Sequence, residues 1–151
     1  MKAVIQSVLD ASVLVDDEVI GKLEKGMLVY FCVEKGDTDK MLPTFLDRLL
    51  TMRIFKDEND KMNLDMKASG ADILFISQFT LAANVYKGHR PGFDDAAAPD
   101  LAEKLYNEAV KYIRDKGFRC ETGSFGAYMK VRYTNDGPET FLLESSKFIR
   151  Q

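Results

Sequence analysis

An apolar run in the middle of the chain ends abruptly in hydrogen-bonding side chains. Ile73–Ile76 is followed by Ser77, Gln78 and Thr80, with Phe79 between the last two. Hydroxyl and amide groups at the end of a buried strand can orient a substrate or donate to a developing charge. They can equally end the strand and bond nearby backbone groups. The segment alone therefore indicates a candidate site without defining its chemistry.

A second unusual segment lies near the C-terminus and contains Asn-Asp-Gly-Pro at 135–138, followed by Glu139 and Thr140. These residue types are strongly typical of a turn. Apolar and aromatic residues on both sides, at 128–133 and 140–143, predict two strands. The simplest prediction is a hairpin whose loop is 134–138.

Other residues that could carry chemistry favour structural roles. His89 is the only histidine, and it lies in a loop at 87–91 with no nucleophile motif nearby, so a surface histidine is favoured over a catalytic one. Cys32 and Cys120 are far apart and predict two buried free thiols rather than a zinc site. The acidic cluster at 57–60 lacks the spacing of a calcium loop and predicts a solvated turn. No phosphate-binding glycine motif occurs, and we expect no cofactor and no metal.

Composition and charge narrow the function classes. The chain has 151 residues, of which 46% are hydrophobic, and we expect one domain over 1–151. The net charge of −3, from 21 basic and 24 acidic residues, disfavours a protein that mainly grips duplex nucleic acid. Contact with one end of an RNA, or a small-molecule site, remains open. No apolar run is long enough to span a membrane, and without a signal-peptide pattern we expect a cytoplasmic protein.

The elements that must position these residues follow from periodicity and turn signals. Alternating or continuous apolar stretches predict strands at 3–8, 11–15, 19–21, 27–33, 54–55, 72–79 and 118–121, besides the two of the hairpin. One helix runs to Leu50, with Asp37 and Thr38 as possible caps, and either begins near Pro43 or is kinked there. A second helix begins at Pro99 and stops at Gly117. These elements predict an α+β fold: an antiparallel-rich mixed sheet or barrel with helices packed on one side.

Taken together, the two polar segments resemble the D-aminoacyl-tRNA deacylase family of bacterial and eukaryotic type. That family is marked by Ser-Gln-Phe-Thr-Leu, here 77–81, and by a C-terminal Asn-x-Gly-Pro-x-Thr, here 135–140. The resemblance extends along the whole chain and includes 53–55, 61–64 and 90–93 in the same order. Two positions depart from it. Members commonly carry arginine where this chain has Ser7, and an apolar residue where it has Glu139.

The resemblance implies a hydrolase that cleaves the ester between a D-amino acid and the terminal adenosine of tRNA, and also glycine mischarged on tRNA for alanine. It implies a homodimer whose partners are the aminoacylated 3′ end of tRNA and a second copy, with no membrane. A cis Gly137-Pro138 peptide of one subunit would enter the other's pocket and reject L-amino acids. Residues carried over as catalytic are Ser77, Gln78, Phe79 and Thr80. Phe125 and Met129 are predicted walls for the adenine.

The route of hydrolysis stays open at this stage. Water assisted by the ribose 2′-hydroxyl can attack, with backbone N–H groups around Phe79 and Thr80 as oxyanion donors. Alternatively, Thr80 can form a covalent ester, although no base is evident to activate it. Two other functions are weighed against the deacylase: a non-catalytic dimer that binds nucleic acid or a partner, and an esterase dependent on His89.

Overall fold

The computed structural model describes residues 1–149, which form a mixed sheet nearly closed into a barrel and a few helices. Six strands make the sheet. Five of them follow the order β2-β1-β3-β6-β7, and the sixth, β8, also pairs with β1. The strands are β1 (Lys2–Val15), β2 (Glu18–Leu23), β3 (Gly26–Cys32), β6 (Asp72–Ser77), β7 (Cys120–Thr122) and β8 (Lys130–Glu144). A separate two-stranded ribbon contains β4 (Phe55–Lys56) and β5 (Met62–Leu64). The helices are α1 (Leu42–Leu50), α2 (Met66–Ser69) and α3 (Pro99–Asp115).

The long strand β1 organises the barrel. Antiparallel β8 follows one of its edges from Lys2 to Leu14, while the other edge pairs first with β3 and then with β2. The turn between β1 and β2 has positive φ at Asp16 and Asp17, the two-residue hairpin predicted there. Across the barrel, β2 approaches β7 so closely that a Cβ at Gly21 would collide with the carbonyl oxygen of Thr122. Glycine at 21 therefore lets the sheet nearly close.

The parallel part of the sheet places the predicted site. β3 and β6 run parallel, with Phe31 opposite Ser77, and β7 lies parallel on the far side of β6. β3 is buried on both faces, as its continuous apolar sequence predicts. The main core lies between the sheet and the two longer helices, and its ring contacts include Phe31 with Phe75 at 5.0 Å. A smaller apolar cluster fills the barrel interior. The α+β prediction with a mixed, barrel-like sheet is confirmed.

The helices agree with the sequence in extent but not in capping. Pro43 lies in the first turn of α1, so the helix begins near the proline rather than bending there. Within residues 1–149, neither Asp37 nor Thr38 caps α1, because a short 3₁₀ turn at Asp39–Met41 precedes it. The Asp37 carboxylate instead accepts from the Glu34 amide at 2.7 Å. No helix in the described part of the chain combines the length and hydropathy that crossing a membrane requires.

The predicted hairpin at the C-terminus is wrong. Residues 130–144 form one continuous strand, and the parts before and after the Asn-Asp-Gly-Pro segment both pair with β1 in the same direction. From Asn135 to Thr140 the chain advances five residues, while their partners Val8 and Gln6 are two apart. The extra residues bulge out of the ladder without reversing the strand. The turn-forming residues at 136–139 therefore make a large bulge in β8.

Candidate active site

A cavity of about 440 Å³ opens beside the end of β6 and is the strongest candidate for a ligand site. Its wall is mostly apolar and combines Val33 with three longer stretches of chain. The lining residues are Val33, Ile76, Ser77, Gln78, Phe79, Ala96, Ala97, Pro99, Ala102, Phe125, Gly126, Ala127, Tyr128, Met129 and Val131. The volume lies within the range of roughly 300–1,000 Å³ that is typical of small-molecule pockets.

The end of β6 holds the polar residues at the cavity. Ser77 is the last residue of the strand, and the Gln78 amide continues the pairing by donating to the carbonyl of Phe31 at 2.7 Å. The chain then enters a 3₁₀ turn at Phe79–Ala82. The first amides of such a turn have no carbonyl partner within it. Backbone donors at Phe79 and Thr80 thus follow directly after the Ser77 and Gln78 side chains.

Thr80 is in contact with the site but outside the cavity lining. Its hydroxyl oxygen accepts a hydrogen bond from Nε2 of Gln78 at 2.5 Å, and both groups are on the solvent side. An amide is not a proton acceptor that could activate a hydroxyl as a nucleophile. The contact ties the Thr80 hydroxyl to Gln78, which does line the cavity.

A long loop folds back over the same turn. The ring of Phe79 meets that of Phe93 edge-on, with centroids 5.0 Å apart. Asn84 and Gly92 exchange backbone hydrogen bonds of 2.7 and 2.9 Å, which close the base of the loop. His89 lies exposed in this closed part of the loop and outside the cavity lining. An esterase centred on His89 therefore has no geometric support.

A further part of the cavity lining comes from the segment before β8. The Phe125 ring lies 6.0 Å from that of Tyr106, which belongs to α3. The Met129 sulfur accepts from the Ser124 amide at 3.4 Å, and this residue packs against the apolar cluster inside the barrel. The structure thus places Phe125 and Met129 in the lining of the same cavity as Ser77, Gln78 and Phe79.

Sequence reasoning missed part of this lining. Ala96 and Ala97 reach the cavity because Ala97 donates to the carbonyl of Val33 at 3.1 Å, which folds the end of the loop against β3. Tyr128, 86% exposed, stands at the cavity rim. The run of small residues before Pro99 was the available signal, because small side chains leave room beside a helix start.

Burial makes both cysteines unreactive. Burial raises the pKa of Cys32 to about 11 and that of Cys120 to about 12. Both are free thiols, as predicted. Cys32 lies next to the site, where its Sγ is 3.7 Å from the carbonyl oxygen of Phe79. Cys32 packs against the turn. Because its thiol stays protonated near neutral pH, it is not a nucleophile.

The bulge of β8 presents Gly137 and Pro138 at the surface. The peptide bond between them is cis, as the resemblance implies, and both residues are exposed. The Asn135 side-chain amide donates to the carbonyl of Glu139 at 3.0 Å and bridges the base of the bulge. The Thr140 hydroxyl lies 3.3 Å from the carbonyl of Pro138.

The bulge and the cavity of one chain lie at opposite ends of β3. Ser7, beside the bulge, pairs with Met27, whereas Ser77, at the cavity, pairs with Phe31. Met27 and Phe31 are four positions apart along β3, which corresponds to about 13 Å. Gly137 and Pro138 accordingly lie outside the lining of the cavity in their own chain.

Comparison with known proteins gives a consistent set of relatives. The family model described as D-Tyr-tRNA(Tyr) deacylase matches residues 4–144. The D-aminoacyl-tRNA deacylase of Clostridioides difficile (strain 630) is 49% identical over 97% of this chain and 99% of that protein. The protein of the same name from Geobacter metallireducens is 50% identical, covering 97% of each.

Two solved structures are also similar. A chain described as c-Myc DNA Unwinding Element Binding Protein has a TM-score of 0.90 and 40% identity, over 96% of this chain and 99% of that one. A probable eukaryotic D-amino acid tRNA deacylase has a TM-score of 0.81 over 94% of this chain and 97% of that one. At 21% identity, the second likeness concerns the fold alone.

Proposed function

The chain belongs to the D-Tyr-tRNA(Tyr) deacylase family, and we propose that it hydrolyses the ester of D-aminoacyl-tRNA to free D-amino acid and tRNA. As a member it is a hydrolase acting on carboxylic ester bonds. The proposal extends to glycine mischarged on tRNA for alanine. It also extends to a homodimer in which Gly137-Pro138 of one subunit selects the substrate of the other.

One observation carries the proposal: Ser77, Gln78 and Phe79 face Phe125 and Met129 around a single apolar cavity. The Phe125 ring and the Met129 thioether offer apolar surfaces against which an adenine base can stack or pack. The strand end offers hydroxyl, amide and backbone donors to the ester. A terminal adenosine with its aminoacyl group needs both kinds of wall in one pocket.

Hydrolysis of this ester needs few catalytic side chains. An aminoacyl ester is labile, and its neighbouring 2′-hydroxyl can position water for attack on the carbonyl carbon. As the tetrahedral intermediate forms, backbone N–H groups of Phe79 and Thr80 stabilise its oxyanion. The C–O bond to the ribose then breaks, and the ribose oxygen leaves with a proton. Thr80 positions Gln78 through their hydrogen bond rather than acting as the nucleophile.

Selection between D and L substrates comes from exclusion by backbone. The main-chain carbonyl groups of the exposed residues Gly137 and Pro138 bind the substrate's α-amino group and occupy the space of an L side chain. Since rejection is steric, D-amino acids of different sizes are admitted, and so is glycine. The separation of this bulge from the cavity of its own chain supports a second copy as its donor.

Release of amino acid from matched D- and L-tyrosyl-tRNA and from glycyl-tRNA tests the proposal directly. We expect fast release from the D ester and glycyl ester and little from the L ester. Release from neither D nor L ester refutes hydrolysis. Equal release from both retains the hydrolase but refutes selection by the bulge.

The alternative is a non-catalytic dimer that binds nucleic acid. The solved relative at 40% identity is described as a DNA-binding protein, which makes this reading worth testing. Against it stands the net charge of −3, since duplex binding relies on basic surface. Salt-sensitive binding of duplex DNA without any release of amino acid would favour the alternative.

A further inference from the structure

The bulge that carries Gly137 and Pro138 is held mainly by side chains. Between Asn135 and Thr140, β8 leaves its ladder with β1, so the regular backbone pairs on either side do not fix residues 136–139. Gly137 and Pro138 are exposed at its tip. Where this tip points must therefore be set by contacts at the base of the bulge.

The strongest of these contacts joins Ser7 to Glu139. The buried Ser7 hydroxyl donates to Oε2 of Glu139 at 2.9 Å. Hydrogen bonds to a carboxylate are among the stronger ones in proteins. The Asn135 amide adds a bridge by donating to the main-chain carbonyls of both residues, at 2.9 Å to Ser7 and 3.0 Å to Glu139. Glu139 is thus held by main chain and side chain, directly after Pro138.

An open cavity lies beside this contact, so the position of the Glu139 side chain depends on its hydrogen bond to Ser7. A cavity of about 260 Å³ is lined on one side by Ser7, Asp136 and Glu139, and on the other by the β4 and α2 region. A segment that borders a cavity lacks packing partners on that side. Without the Ser7 contact, only the Asn135 bridge to its main chain still holds Glu139, and the Glu139 side chain can turn into the cavity.

We propose that Ser7 and Glu139 are a positioning pair that sets the direction of the Gly137-Pro138 carbonyls and thereby the D-over-L selectivity. The proposal rests on the deacylase function proposed above. It concerns two side chains that lie outside the lining of the 440 Å³ cavity of their own chain. Their effect is therefore expected in selectivity rather than in the chemical step.

Two readouts on four variants test the pair. Ser7→Ala and Glu139→Ala each remove the hydrogen bond, the double variant removes both partners, and Glu139→Gln keeps a side-chain oxygen that accepts from Ser7. The first readout is the ratio of D- to L-tyrosyl-tRNA hydrolysis. The second is hydrogen–deuterium exchange of the peptide covering 134–141. Ser12→Ala, on the same strand but beyond the bulge, is the control for the substitution itself.

We expect Ser7→Ala and Glu139→Ala each to lower the D/L ratio by about tenfold and to speed exchange of the bulge. The double variant should be no worse than either single one, because both break the same contact. Glu139→Gln should stay within about twofold of the unchanged protein, a rescue that loss of fold stability would not give.

An unchanged D/L ratio in Ser7→Ala overturns the proposal, whether or not exchange increases. A proportional loss of D and L hydrolysis also overturns it, because that pattern indicates general destabilisation. Failure of the proposed function looks different: the unchanged protein then hydrolyses neither ester. In that case the selectivity role is refuted together with the function, although exchange still reports whether Ser7 holds the bulge.

Discussion

The hydroxyl of Tyr106 donates a hydrogen bond to the main-chain carbonyl of Phe75, 2.7 Å away. This contact joins α3 to β6 two residues before Ser77, and the two rings also stack with centroids 5.7 Å apart. The Tyr106 ring also contacts that of Phe125, which lines the cavity. One buried tyrosine therefore links the strand end, the helix and the segment before β8 at the candidate site.

Removing this hydroxyl should destabilise the fold. In Tyr106→Phe the buried carbonyl of Phe75 loses its side-chain donor, and we expect the free energy of unfolding to fall by about 1–2 kcal/mol. Burial also raises the pKa of Tyr106, so the phenol remains a donor throughout the neutral range. Urea denaturation followed by circular dichroism measures the change.

The matched control is Tyr112→Phe on the same helix. Tyr112 donates to Oδ1 of Asp47 at 2.9 Å, but this contact is exposed and water can replace it. We expect a loss below about 0.5 kcal/mol. Equal losses in Tyr106→Phe and Tyr112→Phe would contradict the role assigned to the buried contact.

A methyl group at position 137 should disturb the bulge. Gly137 has φ +117°, and a Cβ there would lie 2.7 Å from the backbone nitrogen of Glu139. We expect Gly137→Ala to lower the D/L ratio of hydrolysis at least about tenfold, because the backbone must shift to relieve the contact. Gly88→Ala is the control, since Gly88 also has positive φ but nothing within 4 Å of its added Cβ. A Gly137→Ala protein as selective as the unchanged chain would refute this reading of the bulge.

The parts of the fold that sequence predicted well are those fixed by local pattern. α3 has its apolar stripe, Pro99 at its start and Gly117, with φ +89°, after its end. The Asp16-Asp17 turn is equally local. The bulge could not be predicted, because Asn-Asp-Gly-Pro suits a hairpin and a bulge alike. The choice depends on both flanks pairing with β1, more than 110 residues away in sequence.

The same distinction applies to the candidate site. Ser77, Gln78 and Phe79 stand out because polar groups at the end of an apolar strand are a local signal. Ala97 joins them only through its hydrogen bond to Val33. Neither segment contains a sequence signal that predicts this contact. Likewise, Ser7 and Glu139 each depart from the family pattern, but nothing in the sequence indicates that these residues, 132 positions apart, form a hydrogen bond.

The Thr80 hydroxyl should prove dispensable for bond cleavage. If water is the nucleophile, Thr80→Ala loses only the hydrogen bond to Gln78, and we expect kcat to fall by about tenfold rather than to background. Thr80→Ser, which keeps the hydroxyl, should remain close to the unchanged protein. Complete loss in Thr80→Ala, together with an acyl group trapped on Thr80 and detected by mass spectrometry, would establish the covalent route instead.

Both thiols should resist alkylation in the folded protein. Burial raises the pKa of Cys32 to about 11, so less thiolate is present at pH 8 than for an exposed cysteine. We expect iodoacetamide to react at least about a hundredfold more slowly than in urea, where the pKa returns to its ordinary range. Cys120, whose pKa burial raises to about 12, should behave alike. The rate should rise as the pH approaches these values; rapid labelling at pH 8 would show that the thiols are accessible.

Mixed dimers can determine whether the bulge acts on its own cavity or on that of a partner. Ala97→Trp fills the cavity but leaves the bulge of the same chain intact, whereas Gly137→Ala disturbs the bulge and leaves the cavity open. If the chain forms the proposed homodimer, two differently tagged variants, co-expressed and purified through both tags, yield dimers with one chain of each kind.

If the bulge crosses between subunits, the open cavity of the Gly137→Ala chain receives the intact bulge of the Ala97→Trp chain. The mixed dimer then has one complete site out of two, and we expect about half the selective D-tyrosyl-tRNA hydrolysis of the unchanged dimer, although each variant alone is defective. If the bulge serves its own chain, no complete site forms, and the mixed dimer is as defective as its parents. Thermal melts of both parent variants establish that a loss of activity is not a loss of folding.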